Sequence, residues 1–111
     1  MNPCIKIFYQ NVRGINTKLS DIYIKSFDLE YDIVALTETW LQESVIDSEI
    51  FCDRYHIYRR DRAIRADGPK TGGGVLFAVR SSYNSEQIIH ESFNDIEFIS
   101  VKVMFSQKAL Y

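Results

Sequence analysis

The chain has 111 residues, a length typical of a single domain. Its composition, 46% hydrophobic and 25% charged, excludes an intrinsically disordered chain and a fibrous repeat. The net charge of −2 argues against a strongly basic surface that would bind nucleic acid without help. Because the sequence has neither an apolar run of ~20 residues nor a signal-like N-terminus, we expect an intracellular protein, the nucleus included, that is not secreted and has no membrane partner. The oligomeric state is left open.

The first elements predicted along the chain are a strand, a helix and a second strand. Residues 4–11 alternate with the two-residue period of a strand that ends at Asn11, and residues 19–27 carry apolar side chains at the spacing of an amphipathic helix. Residues 32–38 are apolar on both faces, which predicts a strand covered on both sides. The connection is longer than the ~12 residues that a parallel crossover requires, so we expect a β-α-β unit with adjacent parallel strands.

The second half of the sequence predicts short strands. A polar stretch over 42–49, helical or loop, precedes strands near residues 55–59, 74–80, 87–91 and 96–105, which we expect to pair mostly antiparallel. The predicted class is therefore α/β (α+β), with a mixed, mostly antiparallel sheet in one domain over 1–111.

Several aromatic side chains fall at core spacing, and we predict that they pack instead of stacking on bases. These residues are Phe8, Tyr9, Phe27, Phe77, Phe98 and Phe105. For Trp40 we predict that the ring covers the edge of the sheet. The two cysteines, Cys4 and Cys52, are predicted to be buried thiols and not a disulfide, because they lie far apart without metal-site spacing.

Two polar side chains, Asn11 and Glu38, end the predicted parallel strands. Ligands of open α/β sheets gather beyond the carboxyl ends of such strands. Carboxylate and amide oxygens are hard ligands that suit Mg²⁺ or Mn²⁺, and Mg²⁺ is usually held by one or two carboxylates with water and substrate phosphate. From the residues alone, a turn for Asn11 and a helix cap or an arginine partner for Glu38 remain alternatives to a metal site.

Basic residues are concentrated over 54–70. This stretch has six cations and two anions, a local charge of +4, and it could approach a phosphate backbone. A solvated loop is the alternative interpretation.

Four segments resemble, in order and spacing, the endonuclease/exonuclease/phosphatase superfamily, and most closely the apurinic-type endonuclease domains of non-LTR retrotransposons, especially the jockey-like elements of animals. They are residues 8–14 (FYQNVRG), 36–41 (LTETWL), 58–62 (YRRDR) and 72–79 (GGGVLFAV). The resemblance covers nearly the whole chain but only about the first half of the family domain. It implies that the chain forms part of a four-layered α/β sandwich.

The resemblance also implies a function. Glu38 would be the ligand of a Mg²⁺ (or Mn²⁺) cofactor, and Asn11 would bind the same site or the substrate phosphate beside it, which makes these two the expected catalytic residues. Arg13 and Arg62 are expected to contact substrate phosphate. The activity implied is phosphodiester hydrolysis in DNA, with the metal polarising the scissile phosphate. In a retrotransposon the nick supplies the 3′-hydroxyl that primes reverse transcription.

Later motifs of the family, an active-site tyrosine, Asp-x-Asn and a closing Asp-His, have no counterpart before Tyr111. Neither His56 nor His90 lies in the family's context, so we expect neither to be catalytic. The sequence thus predicts an N-terminal half of the domain, a fragment that is inactive alone. Two alternatives remain: a non-catalytic remnant that binds nucleic acid or a partner through residues 54–70, and another phosphoesterase of the superfamily. Substrate specificity is not predicted.

Overall fold

A computed structural model describes residues 4–62, 72–89 and 98–105 of the chain. The strands are β1 (Ile7–Asn11), β2 (Ile33–Thr37), β3 (Tyr55–Arg60), β4 (Val75–Arg80), β5 (Asn84–Ile88) and β6 (Ser100–Met104). The helix α1 spans Leu19–Lys25, and short 3₁₀ turns cover Asn16–Lys18 and Asp47–Glu49. Each predicted strand and the predicted helix overlap an observed element. β5 begins at Asn84, three residues before the predicted start at 87, and residues 90–97, which the last two strand predictions include in part, lie outside the described residues. Of the 42–49 stretch only the last three residues are helical.

Four strands form one sheet in the order β1-β2-β4-β3, and β5 and β6 form an antiparallel pair. β1 and β2 are parallel, with Ile7 opposite Ile33 and Asn11 opposite Thr37. β4 is antiparallel to both β2 and β3. The α/β (α+β) class and the initial β-α-β unit are therefore confirmed.

One face of the four-stranded sheet holds the main core. α1 and the connection over 41–52 lie on this face, because the apolar positions of the helix and of alternate strand residues meet there. The buried members of this cluster are Val12, Ile15, Val34, Leu36, Leu41, Ile50, Phe51, Tyr55, Leu76 and Ala78. Full burial of each Leu or Ile contributes about 1.5–3 kcal/mol, so this face supplies much of the stability.

The opposite face of the sheet is covered only in part. Ile33 and Val79 are buried there, but Ile7 and Tyr9 are each 61% exposed. The β5–β6 pair approaches this face, where the Tyr58 and Ser85 hydroxyls lie 2.9 Å apart.

Some packing predictions were wrong. Tyr9 and Phe27, expected in the core, are 61% and 51% exposed, because periodicity groups side chains by face without saying which face is covered. Cys52 is buried as predicted, whereas Cys4 is exposed; the two form no disulfide.

Polar contacts fix the end of α1 to the rest of the fold. The buried Ser26 hydroxyl donates to the Tyr23 carbonyl at 2.5 Å and accepts from the Cys52 N–H at 2.9 Å. Arg54 and Arg80 donate to backbone carbonyls of the following loop, including that of Leu29 at 3.2 and 2.6 Å. The carbonyls that follow α1 are thus satisfied by side chains of β4 and of the turn before β3.

Candidate functional site

Three chain segments interlock at the carboxyl ends of β1 and β2. From residues 12–15, the N–H of Gly14 donates to the Glu38 carbonyl at 2.7 Å. From residues 37–40, the Trp40 N–H donates to the Gly73 carbonyl at 2.9 Å, and the Thr39 N–H to that of Gly74 at 3.2 Å. We call residues 11–15, 37–40 and 72–75 together the rim.

The rim brings Asn11 and Glu38 together at the level of the backbone. Asn11 lies opposite Thr37 in the parallel register, and Glu38 is the next residue. With strands spaced about 4.8 Å and a rise of about 3.3 Å per residue, their α-carbons lie within roughly 6 Å of each other. Asn11 ends β1, and Glu38 directly follows the last residue of β2, one position beyond where the strand ends, whereas the prediction placed it as the last strand residue. The Asn11 side chain is exposed to solvent.

The Glu38 carboxylate is oriented by two donors. Its Oε1 accepts from the Trp40 indole Nε1 and from the Gly73 N–H, both at 3.3 Å. Within the described part of the chain, no residue donates to Oε2. The side chain is half-buried, and the backbone at Glu38 is left-handed, with φ of 56°. A carboxylate held through one oxygen, with the other still able to accept, is arranged to take a further ligand.

Trp40 packs onto the loop after β1. A Cβ on Gly14, whose φ is +88°, would lie 2.9 Å from the Trp40 Cζ3 and closer still to Cε3, so the ring occupies the space that any other residue at 14 would fill. Trp40 itself has φ of 58°. The predicted role in covering the sheet edge missed this contact and the indole hydrogen bond to Glu38.

The two predicted phosphate contacts, Arg13 and Arg62, are placed differently. Arg13 is exposed in the loop that follows Asn11, with φ of 51°. The Arg62 guanidinium lies against Gly73, since its Cζ is 2.5 Å from where a Cβ of that glycine would stand. Because the same glycine donates to Glu38, Arg62 and the Glu38 carboxylate both contact Gly73.

Two cations of the basic stretch have structural partners. Arg59, with a side chain 11% exposed, pairs with Asp61 at 2.8 Å and Asp47 at 3.1 Å. Arg54 donates to the backbone carbonyls after α1. Asp61 is already counted in the +4 sum, so of these partners only Asp47, which lies outside the stretch, offsets part of that charge. Residues 63–70 of that stretch lie outside the described residues.

The histidines are not part of the rim as far as the structure describes them. His56 is exposed on β3 opposite Val79, which pairs with Ile33 at the other end of β2. His90 lies outside the described residues.

The donor set fits a weakly coordinated hard cation. The described residues contain no group of three or more His, Cys, Asp or Glu side chains that could hold a metal ion. A multi-carboxylate calcium cage or a zinc cluster is therefore not formed among them. A single half-buried carboxylate is a ligand type that Mg²⁺ or Mn²⁺ can use, because these ions keep water in their coordination shell.

The sequence matches no protein-family model, and no curated protein or solved structure is significantly similar to it. No helix within residues 4–62, 72–89 and 98–105 combines the length and apolarity needed to cross a membrane.

Proposed function

We propose that this chain supplies the cation-binding part of the active site of a Mg²⁺-dependent hydrolase that cleaves phosphodiester bonds in DNA, of the kind found in the endonuclease domains of non-LTR retrotransposons. The observation that supports this most is the Glu38 carboxylate, held through Oε1 at the carboxyl ends of two parallel strands. Asn11 ends the neighbouring strand. Sites of this topology are where α/β sheets bind their ligands.

Two rim residues, Asn11 and Glu38, and two arginines have chemical roles in this proposal. Glu38 would hold the cation, and the exposed Asn11 amide would donate to an oxygen of the substrate phosphate. Arg62 and Arg13 lower the cost of bringing a polyanion to the rim, because each places a guanidinium on a loop beside it. When bound, Mg²⁺ would polarise the phosphate and stabilise the leaving oxygen.

Binding of nucleic acid without a cation site is the alternative, and the ion pairs of Arg59 weigh against it. A surface that binds a phosphate backbone needs cations that face solvent, whereas Arg59 is committed to two carboxylates and Arg54 to carbonyls. The two functions differ in one respect that can be measured. A basic surface binds DNA without Mg²⁺ and without regard to Glu38.

Cation binding by the 111-residue chain tests the proposal. We expect Mn²⁺, followed by electron paramagnetic resonance of the free ion, to bind the unmodified chain and to lose that binding in Glu38→Gln. Glu43→Gln removes the same charge from an exposed loop residue, so it is the matched control and should bind Mn²⁺ normally.

DNA binding completes the test. Mg²⁺ should raise the affinity of the unmodified chain for a labelled duplex, measured by fluorescence anisotropy, and should have no such effect on Glu38→Gln. The proposal is wrong if the Gln variant binds Mn²⁺ as tightly as the unmodified chain. It is equally wrong if Mg²⁺ leaves DNA affinity unchanged.

A further inference from the structure

Trp40 links two segments of the rim that are distant in sequence. Its ring lies on Gly14, its backbone N–H donates to Gly73, and its indole N–H donates to the Glu38 carboxylate at 3.3 Å. One side chain thus touches the loop after β1 and the carboxylate at the end of β2.

The backbone around Trp40 is shaped for this contact. Glu38 and Trp40 both have positive φ, at 56° and 58°, a conformation that is unfavourable for a residue with a side chain. Thr39 between them is fully buried, and its hydroxyl accepts from the Leu41 N–H. The left-handed backbone at Glu38 and Trp40, with the buried Thr39 between them, brings the Trp40 indole to the Glu38 carboxylate. Strain of this kind persists only where surrounding contacts hold it.

We propose that Trp40 is a positioning residue for cation binding: its indole N–H holds Glu38 Oε1 and thereby presents Oε2 to the cation. The inference rests on the proposed function of the site and adds to it the side chain that sets the geometry of the ligand. A carboxylate on three rotatable bonds samples many orientations, and a donor to one oxygen removes most of them. Loss of such a supporting donor typically lowers metal affinity 10- to 100-fold.

The chain offers an unusually selective test, because Trp40 is its single tryptophan. Tryptophan can be replaced during expression by 3-benzothienylalanine, which keeps the size and shape of the ring and has sulfur where the indole has N–H. We expect Mn²⁺ to bind this protein about tenfold more weakly, while the unfolding midpoint in urea stays that of the unmodified chain. Equal Mn²⁺ affinity in the two proteins would overturn the proposal.

A second measurement needs no cation. The indole N–H of Trp40 gives one resonance in a ¹H–¹⁵N spectrum, and that resonance should move in Glu38→Gln and stay in place in Glu43→Gln. If the chemical shift of the indole N–H is unchanged in Glu38→Gln, the hydrogen bond is absent in solution, and this result would also overturn the proposal.

The failures of the two proposals are distinguishable. If the unmodified chain and Glu38→Gln bind Mn²⁺ alike, the cation site itself is wrong, and the positioning role falls with it. If Glu38→Gln loses binding but the benzothienylalanine protein keeps it in full, the cation site stands and Trp40 has no part in it.

Discussion

Replacement of Gly14 by alanine measures how much the packing of the Trp40 ring against this glycine contributes to the stability of the chain. Two costs add at this position. A left-handed backbone costs alanine about 1–2 kcal/mol. The new Cβ would also lie 2.9 Å from the Trp40 Cζ3 and nearer to Cε3, and overpacking of this kind costs about 1–3 kcal/mol. We therefore expect Gly14→Ala to destabilise the chain by about 2–5 kcal/mol and to displace the indole.

Gly72→Ala is the matched control. Its φ of +99° imposes the same type of backbone cost, but the nearest atom to a new Cβ is Nη1 of Arg62 at 3.2 Å, the far end of a flexible side chain. The two variants should thus differ by the steric cost alone, about 1–3 kcal/mol.

Urea unfolding followed by far-ultraviolet circular dichroism gives both free energies, and the emission of the single tryptophan reports the environment of the ring. Emission should shift in Gly14→Ala and not in Gly72→Ala. The reasoning fails if the two variants are equally stable, or if Trp40 emission in Gly14→Ala equals that of the unmodified chain.

Three further perturbations follow from contacts described for the fold. Ser26→Ala should cost about 1–3 kcal/mol in urea unfolding, since it leaves a buried N–H without its acceptor; the exposed Ser20→Ala should cost almost nothing, and equal losses would contradict this. Arg59→Ala should destabilise by about 2–3 kcal/mol, because a carboxylate only 17% exposed loses its partner; a change under 0.5 kcal/mol would refute it. The Tyr83 hydroxyl donates to Asp32, and this bond, with burial, raises the pKa of the tyrosine. The protonated form is favoured by folding, so the stabilisation is present below pH of about 10 and is lost as pH rises through the folded pKa. Absorbance of tyrosinate should show a late-titrating contribution that is lost in Asp32→Asn.

The architecture of the first two strands was predictable because its signals are local. Residues 4–11 alternate, residues 32–38 are apolar on both faces, and the long connection between them favours a parallel pair. Those three facts place Asn11 and Glu38 at neighbouring strand ends before any coordinates are known. The observed register, with Asn11 opposite Thr37, agrees with that placement.

The contacts of the rim could not be predicted in the same way. Gly14 and Trp40 are 26 positions apart, and nothing within either segment indicates that the ring of one fills the space beside the other. Positive φ at Glu38 and Trp40 has no local signal either, because neither is glycine or asparagine. Nor does the run Gly72–Gly74 indicate which carboxylate the N–H of Gly73 would meet.

The basic stretch over 54–70 shows a different limit of prediction from sequence. A count of charges gives the same weight to every arginine, whereas the function of each depends on what faces it. Arg59 lies between two carboxylates and Arg54 beside backbone carbonyls, so both stabilise the fold. Only the three-dimensional arrangement separates them from cations available to a phosphate.

All three segments of the rim belong to the four-stranded sheet and its connections, within residues 11–75. No described residue of β5 or β6 belongs to it, although the pair lies against the same sheet through the Tyr58–Ser85 and Tyr83–Asp32 hydrogen bonds. The position of the Glu38 carboxylate is therefore set by other segments than those that form the β5–β6 surface. Substitutions on β5 and β6 are therefore expected to leave the Glu38 carboxylate and its indole donor in place.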